Sequence, residues 1–432
     1  MQAFLERYFH LKAHGTTIRT EIIAGVTTFL SMAYIAVVNP AILSDAGMDF
    51  GAVFVATCIA AAVGSFIMGV WANYPIAQAP GMGQNAFFTY TVVLGMGHTW
   101  ESALGAVFVS GLIFVALSIL PVREWLVNAI PRNLKLGISA GIGLFLGFIA
   151  LKNAGVIVDN PATLVSLGEL ASIGPFICIA GFVLIAALSA RKVTGAVIIG
   201  MLTATIVGLG MGAAEYHGVI SMPPSPAPVL LKLDVMSVLD LSMVTVVLTM
   251  LLVDVFDTAG TLVGVANRAG LVGSDGKLPR LNRALLSDSA ATVVGAVAGT
   301  SSTTSYIESA AGVESGGRTG LVAVTVALLF LACLFFAPLA QTIPPYATAA
   351  ALLFVACLMA RSLADVDWED MTESAPAVVC ALGMPLSFSI ADGIGLGFIT
   401  YVFIKLFSGK AAECPAAVYI IALIFLGKFA FL

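Results

Sequence analysis

Three carboxylates sit where an otherwise apolar chain should carry no charge. Asp254 and Asp257 lie inside VVLTMLLVDVFDTAGTLVGVA, and Glu308 stands alone between Ile307 and Ser309. An ionisable group near the centre of a membrane helix is costly unless it faces a cavity or a partner, so it marks a functional site by default. At helical spacing Asp254, Asp257, Thr258 and Thr261 share one polar stripe. Asp254 also fits a purely structural bond to a neighbouring helix, whereas Asp257 and Glu308 read as functional. Two carboxylates meeting in a low-dielectric pocket can accept hydrogen bonds from the N–H groups of a planar ligand. A carboxylate that takes up a proton in one access state and releases it in the other also couples ligand movement to a proton gradient. Asp257, Glu308 and Asp254 are the candidates for that proton.

Two segments broken at membrane depth accompany these acids. ANYPIAQAPGMGQNAFFTYTVV interrupts helical propensity with Pro75, Pro80, Gly81 and Gly83, and AGTSSTTSYIESAAGVESGG opens on a run of hydroxyl residues before reaching Glu308. Extended backbone inside a bilayer is tolerated only where protein or a cavity surrounds it, so the two breaks should meet inside the molecule. Residues Thr300 to Tyr306, with Ser305 and Tyr306 at their end, can run as a strand that offers backbone groups to a ligand. The half-helices beyond the breaks would aim their N-terminal ends at the same spot. Phe87 and Phe88 suit stacking on a heteroaromatic ring and equally suit packing. Thr27 and Thr28 suit a ligand, and equally suit bonding their own preceding carbonyls.

The elements that must hold these residues are membrane helices. Of 432 residues, 59% are hydrophobic and 10% charged, and the mean hydropathy is +1.04; an ordinary soluble domain carries about 25% charged residues. A bilayer core needs about 20 apolar residues per helix. That rule predicts an all-α polytopic fold with seven spans over 21–211, a polar loop over 212–241, and seven more over 242–408. Residues 1–20 form a polar N-terminal segment without the pattern of a signal peptide. Residues 409–432 end in an apolar stretch from 416 that fits a fifteenth span, an interfacial helix or a packing element. With the N-terminus cytoplasmic, basic residues gather in alternate loops, at Arg123, Arg132 and Lys135, at Arg191 and Lys192, at Arg268, Lys277, Arg280 and Arg283, and at Lys405 and Lys410. Lys152 and Lys232 are exceptions.

Seven is odd, so the second set of spans enters from the opposite side. This is the arithmetic of an inverted repeat, common among secondary transporters. Local pattern agrees. Each broken segment follows a small-residue helix with a Val-Gly pair, Val63-Gly64 and Val294-Gly295, and the fifth and twelfth spans both open on Ile-Pro. The net charge of −5 says little about partners. Six scattered cysteines and four dispersed histidines lack metal-ligand or redox spacing, so no metal, cofactor or nucleic acid is expected.

Five motifs in order, TEIIAGVTTFLSMAYIAVVNPAIL, APGMGQNAFFTYTVV, VDVFDTAGTLVGVA, TSSTTSYIESAAGV and PLSFSIADGIGLGFITYV, make the chain resemble the AzgA-like branch of the nucleobase–cation symporter-2 (nucleobase–ascorbate) transporters. The resemblance runs from about residue 15 to about 410. It implies fourteen spans in two inverted sevens, a core domain (spans one to four and eight to eleven) and a gate domain (five to seven and twelve to fourteen), with short strands in spans three and ten. It implies proton symport of hypoxanthine, guanine or adenine across the cell inner membrane by elevator-type alternating access, and members are often homodimers. Asp257 matches the acidic substrate residue of span eight and Glu308 the acid that opens span ten. Asn85, Ala86 and Phe87 match the strand and helix start of span three. Thr261 stands where the wider family has a His, which removes any proton role for that position. Hypoxanthine and guanine offer N1–H and an imidazole N–H that two carboxylates complement, and adenine presents a different edge.

Rival readings are weaker. A sulfate or bicarbonate carrier on the same plan should lack two carboxylates at its site. An intramembrane enzyme needs a recognisable nucleophile, metal or aspartate dyad, and Asp254 and Asp257, three apart on one helix, are badly placed to oppose each other. The broken helices favour alternating access over a channel.

Overall fold

The computed structural model describes residues 2–119, 130–271 and 278–431. Arg123 and Lys277, two of the basic loop residues, lie outside the described residues. Nine helices among the described residues are long and apolar enough to cross a membrane, and they correspond to spans one, two, four, five, six, eight, eleven, twelve and fourteen. Spans seven (Ala196–Gly210), nine (Leu281–Ala298) and thirteen (Met371–Ser387) are further helices. Spans three and ten are the broken pair.

Span one differs from the single run expected over 21–44. It forms two helices, Ile18–Met32 and Ile35–Asp45, because the turn between them tightens, Ala36 N–H bonding Ala33 C=O and Val37 N–H bonding Tyr34 C=O. The break leaves Tyr34 buried at the centre of the molecule.

Packing follows the repeat. Span five packs on thirteen as twelve packs on six; span nine packs on four as two packs on eleven; thirteen on fourteen matches six on seven. Each contact has its counterpart seven spans away, so the two halves exchange under an internal two-fold operation. Two packing groups result, one from spans one to four and eight to eleven, the other from five to seven and twelve to fourteen.

Four short strands occur, β1 (Gln78–Pro80), β2 (Ile157–Asn160), β3 (Leu164–Leu167) and β4 (Thr303–Ser305). β2 and β3 form a hairpin between spans five and six. β1 and β4 pair antiparallel at the centre of the first packing group, in the register Gln78↔Ser305, Ala79↔Thr304, Pro80↔Thr303. Gly81 N–H to Ser302 C=O and Tyr306 N–H to Ala77 C=O, both 2.9 Å, extend the ladder. Bonded and non-bonded pairs alternate in such a ladder, and Pro80 falls at a non-bonded position where its missing N–H is not needed.

The repeated Val-Gly pair has its reason here. A Cβ on Gly64 would lie 2.9 Å from Oε1 of Gln78 on β1, and one on Gly295 would lie 2.9 Å from Oγ1 of Thr303 on β4. Each glycine lets a helix press against the strand of its own half. The polar loop over 212–241 folds back on the same group, with Val229 seated over Gly299 and Leu231 N–H bonding Val297 C=O. The C-terminal helix, Ala416–Phe431, runs antiparallel along span fourteen. Lys405 pairs with Glu413 at one end and Lys428 with Asp392 at 2.7 Å at the other, while Phe425 packs on Gly395 between them.

Candidate functional site

The β1–β4 pair organises the site. β4 runs directly into Glu308, which precedes the short helix Ser309–Glu314, and β1 runs into the short helix Met82–Ala86. Span eight (Leu241–Arg268) lies against β4 and brings its polar stripe to the strand.

Glu308 is partly exposed, and its Oε1 accepts the Tyr34 hydroxyl at 2.5 Å. Asp257 is partly exposed as well and close enough to Glu308 for the two charges to interact. Of the four acids around the strand pair, these are the two that are not fully buried. On its other side the Tyr34 ring lines an apolar cavity of about 300 Å³ with Phe54, Met201 and Ile343 among its walls. Apart from Tyr34 and Cys333 its lining side chains are apolar.

The other predicted residues fall into place around this pair. Asn85 is buried, and its Oδ1 accepts the Ser301 hydroxyl just upstream of β4. Ala86 and Phe87 are buried beside it at the start of the remainder of span three. Tyr306 is turned back toward the first half, its hydroxyl donating to Pro80 C=O at 2.6 Å. Ser305 faces span nine and donates to Asp288 Oδ1 at 2.9 Å. Thr28 packs where Gly312 of the Glu308 helix approaches span one. Thr27 lies beside it on a partly exposed flank, and Thr261 is buried one turn beyond Asp257. The structure thus sets Asn85 against Ser301 just upstream of β4 and Glu308 just downstream of it, while Ser305 and Tyr306 tie β4 to span nine and to β1.

Asp288 is the residue that sequence reasoning missed. It is fully buried in span nine and receives three donors: Gln78 Nε2 at 2.9 Å, Ser305 Oγ at 2.9 Å and Thr258 Oγ1 at 2.6 Å. The signal was present, since LLSDSAATVVG places an isolated carboxylate inside an expected span. Gln78 and Tyr34 carried no comparable signal, because an amide or a phenol in an apolar run has many uses. Asp254, also fully buried, has its Oδ2 3.2 Å from Thr292 Oγ1. Spans eight and nine are thus cross-linked reciprocally, each by an aspartate and a threonine four residues apart.

The family profile Xan_ur_permease, described as a permease family, matches residues 19–396. The adenine permease AdeP of Escherichia coli is 49% identical over 431 residues, covering 100% of this chain and 97% of that one. The guanine/hypoxanthine permease PbuO of Bacillus subtilis is 45% identical over 96% of this chain and 98% of its own length. Among solved structures, the transmembrane domain of the cyanobacterial bicarbonate transporter BicA superposes with a TM-score of 0.65 at 16% identity, over 87% of this chain and 97% of that one. The last likeness establishes the fold alone. With the profile covering most of the chain and relatives matched almost end to end, this chain belongs to that permease family.

Proposed function

We propose that this permease imports purine nucleobases together with protons, carrying the base between the partly exposed carboxylates of Asp257 and Glu308. The reading rests on that pair above all. Two partly exposed acceptors follow or flank β4, a buried amide (Asn85) bonds Ser301 at the other end of that strand, and the aromatic Phe87 follows it in span three. A purine ring offers N–H donors to the acids and acceptor atoms to amide and backbone N–H groups. Relatives named as adenine and as guanine/hypoxanthine permeases support the purine class. Partly exposed carboxylates at the site would repel an anion, which disfavours sulfate or bicarbonate.

In this reading spans one to four and eight to eleven (core) move as a unit against five to seven and twelve to fourteen (gate), the N-terminus is cytoplasmic, and the protein sits in the cell inner membrane. Thr27, Thr28 and Thr261 line the base's surroundings, and a homodimer is compatible with the design.

The test is uptake of radiolabelled hypoxanthine, guanine and adenine into vesicles under an imposed proton gradient. Uptake should follow the gradient and vanish in Asp257→Asn and in Glu308→Gln. Undiminished uptake in both variants would overturn the site. Transport of sulfate without competition from any purine would overturn the substrate class.

A further inference from the structure

We infer that Asp254, not Asp288, is the group that carries the coupled proton, held as a carboxylic acid whose O–H donates to Thr292. The inference rests on the proton-coupled reading above and assigns its proton to one fully buried side chain.

Hydrogen counting separates the two buried aspartates. The Thr292 hydroxyl has a single hydrogen. It accepts the N–H of Thr303 at 3.2 Å and donates to the C=O of Thr303 at 2.8 Å. Thr303 is a non-bonded position of the β1–β4 ladder, paired with Pro80, so both of its backbone groups face away from β1. Thr292 is the side chain that satisfies them. Its hydrogen is therefore committed, and the contact between Thr292 Oγ1 and Asp254 Oδ2 at 3.2 Å needs a hydrogen from the carboxyl side. The other oxygen, Oδ1, is buried and makes no hydrogen bond of normal geometry among the described residues. Among the described residues the Gln84 amide is the one donor left to this carboxyl, so a carboxylate there has fewer donors than Asp288 has.

Asp288 has the opposite surroundings. Gln78, Ser305 and Thr258 supply three donors to its two oxygens. Thr304 is able to donate to Thr258 at 2.9 Å, leaving the Thr258 hydrogen for the acid. Such a set suits the ionised form.

The groups that face Asp254 are Asp288 and Thr292 of span nine, Gln84 of span three and Asp257 of its own helix. None of these is a cation. On loading, a proton from the medium adds to the Asp254 carboxylate and forms the O–H that bonds Thr292. On release that O–H breaks, its electron pair stays on the carboxylate, and the proton leaves to the other side. Spans eight and nine then hold two facing negative charges, and the bond to Thr292 is lost. Thr292 is what fixes Thr303 of β4, the strand that leads to Glu308, so the proton is sensed at the base-binding site.

Asp254→Asn tests this, because its amide N–H can replace the carboxylic O–H toward Thr292. In reconstituted vesicles, base-for-base exchange should stay near the wild-type rate and lose its dependence on pH, while proton-driven accumulation is lost. Asp288→Asn should lose exchange and accumulation together, since its amide would face three donors. Accumulation retained in Asp254→Asn overturns the assignment, and so does loss of its exchange. Exchange without accumulation in Asp288→Asn and not in Asp254→Asn also overturns it, by reversing the two roles. Failure of the wild-type protein to take up any purine is a separate result that strikes the substrate reading instead.

Discussion

In the first half of the chain, β1 and the helix after it bring amides to the centre, Gln78, Gln84 and Asn85. In the second half, β4 and span nine bring acids and hydroxyls, Glu308, Asp288, Thr303 and Ser305. The backbones of the two halves are equivalent: each presses a glycine helix onto a three-residue strand, and the strands pair with each other. Symmetry therefore fixes where backbone leaves the helical state, and side chains alone decide which half supplies charge. An inverted repeat supplies the alternating geometry, while a ligand with distinct donor and acceptor edges requires the two halves to differ.

The largest effect should come from the acid side. Glu308→Gln is expected to abolish gradient-driven uptake in a protein that still folds, since the amide oxygen can accept the Tyr34 hydroxyl. Asn85→Ala, on the amide side, should weaken the apparent affinity about tenfold, the equivalent of roughly 1.4 kcal/mol. Initial rates over a range of base concentrations compare the two, and a greater loss in Asn85→Ala would reverse the division.

Next in size is a test of backbone equivalence. Gly64→Leu and Gly295→Leu should each destabilise the protein by about 1–3 kcal/mol through overpacking against a strand, read as thermal unfolding in detergent. Similar losses are expected from both; sensitivity in one half only would break the symmetry. A smaller effect, about 1 kcal/mol for a lost hydrogen bond, is expected from Thr258→Val, with more from Thr292→Val because the buried backbone groups of Thr303 lose their partner.

The smallest effect lies outside the membrane. Lys410, 2.9 Å from Asp370, holds that carboxyl well below the usual carboxylate range, helped by the Thr372 hydroxyl and N–H. A lowered folded-state value means that the pair stabilises at neutral pH and that its contribution is lost as acid protonates Asp370. Lys410→Met should flatten the acid side of the unfolding-temperature profile only slightly, because exposed pairs contribute little. A large change would show that the junction between spans thirteen and fourteen is more tightly coupled than its exposure suggests.

Much of this was legible before any coordinates. The span count, the inverted order, the meeting of the two broken segments and the presence of acids at Asp257 and Glu308 follow from apolar run length, loop charge and the cost of charge or open backbone in lipid. Asp288 was legible on the same rule, as an isolated carboxylate inside an expected span. The split of span one was not legible, since a single Pro40 inside an apolar run does not say where the chain will turn. Nor was the placement of Ser305 and Tyr306. They alternate along the strand, and which one faces span nine depends on the register with β1.

The sequence by itself determined that this chain lives in a bilayer, that it repeats in opposite orientations, and that acids and broken backbone share a membrane depth. Those are consequences of composition and order along one chain, where the solvent sets the rule. The tertiary structure alone decided the partners. It set Tyr34 on Glu308, three donors on Asp288 and a hydroxyl with a committed hydrogen beside Asp254. A hydrogen bond depends on distance and direction between residues far apart in sequence, and only packing fixes those.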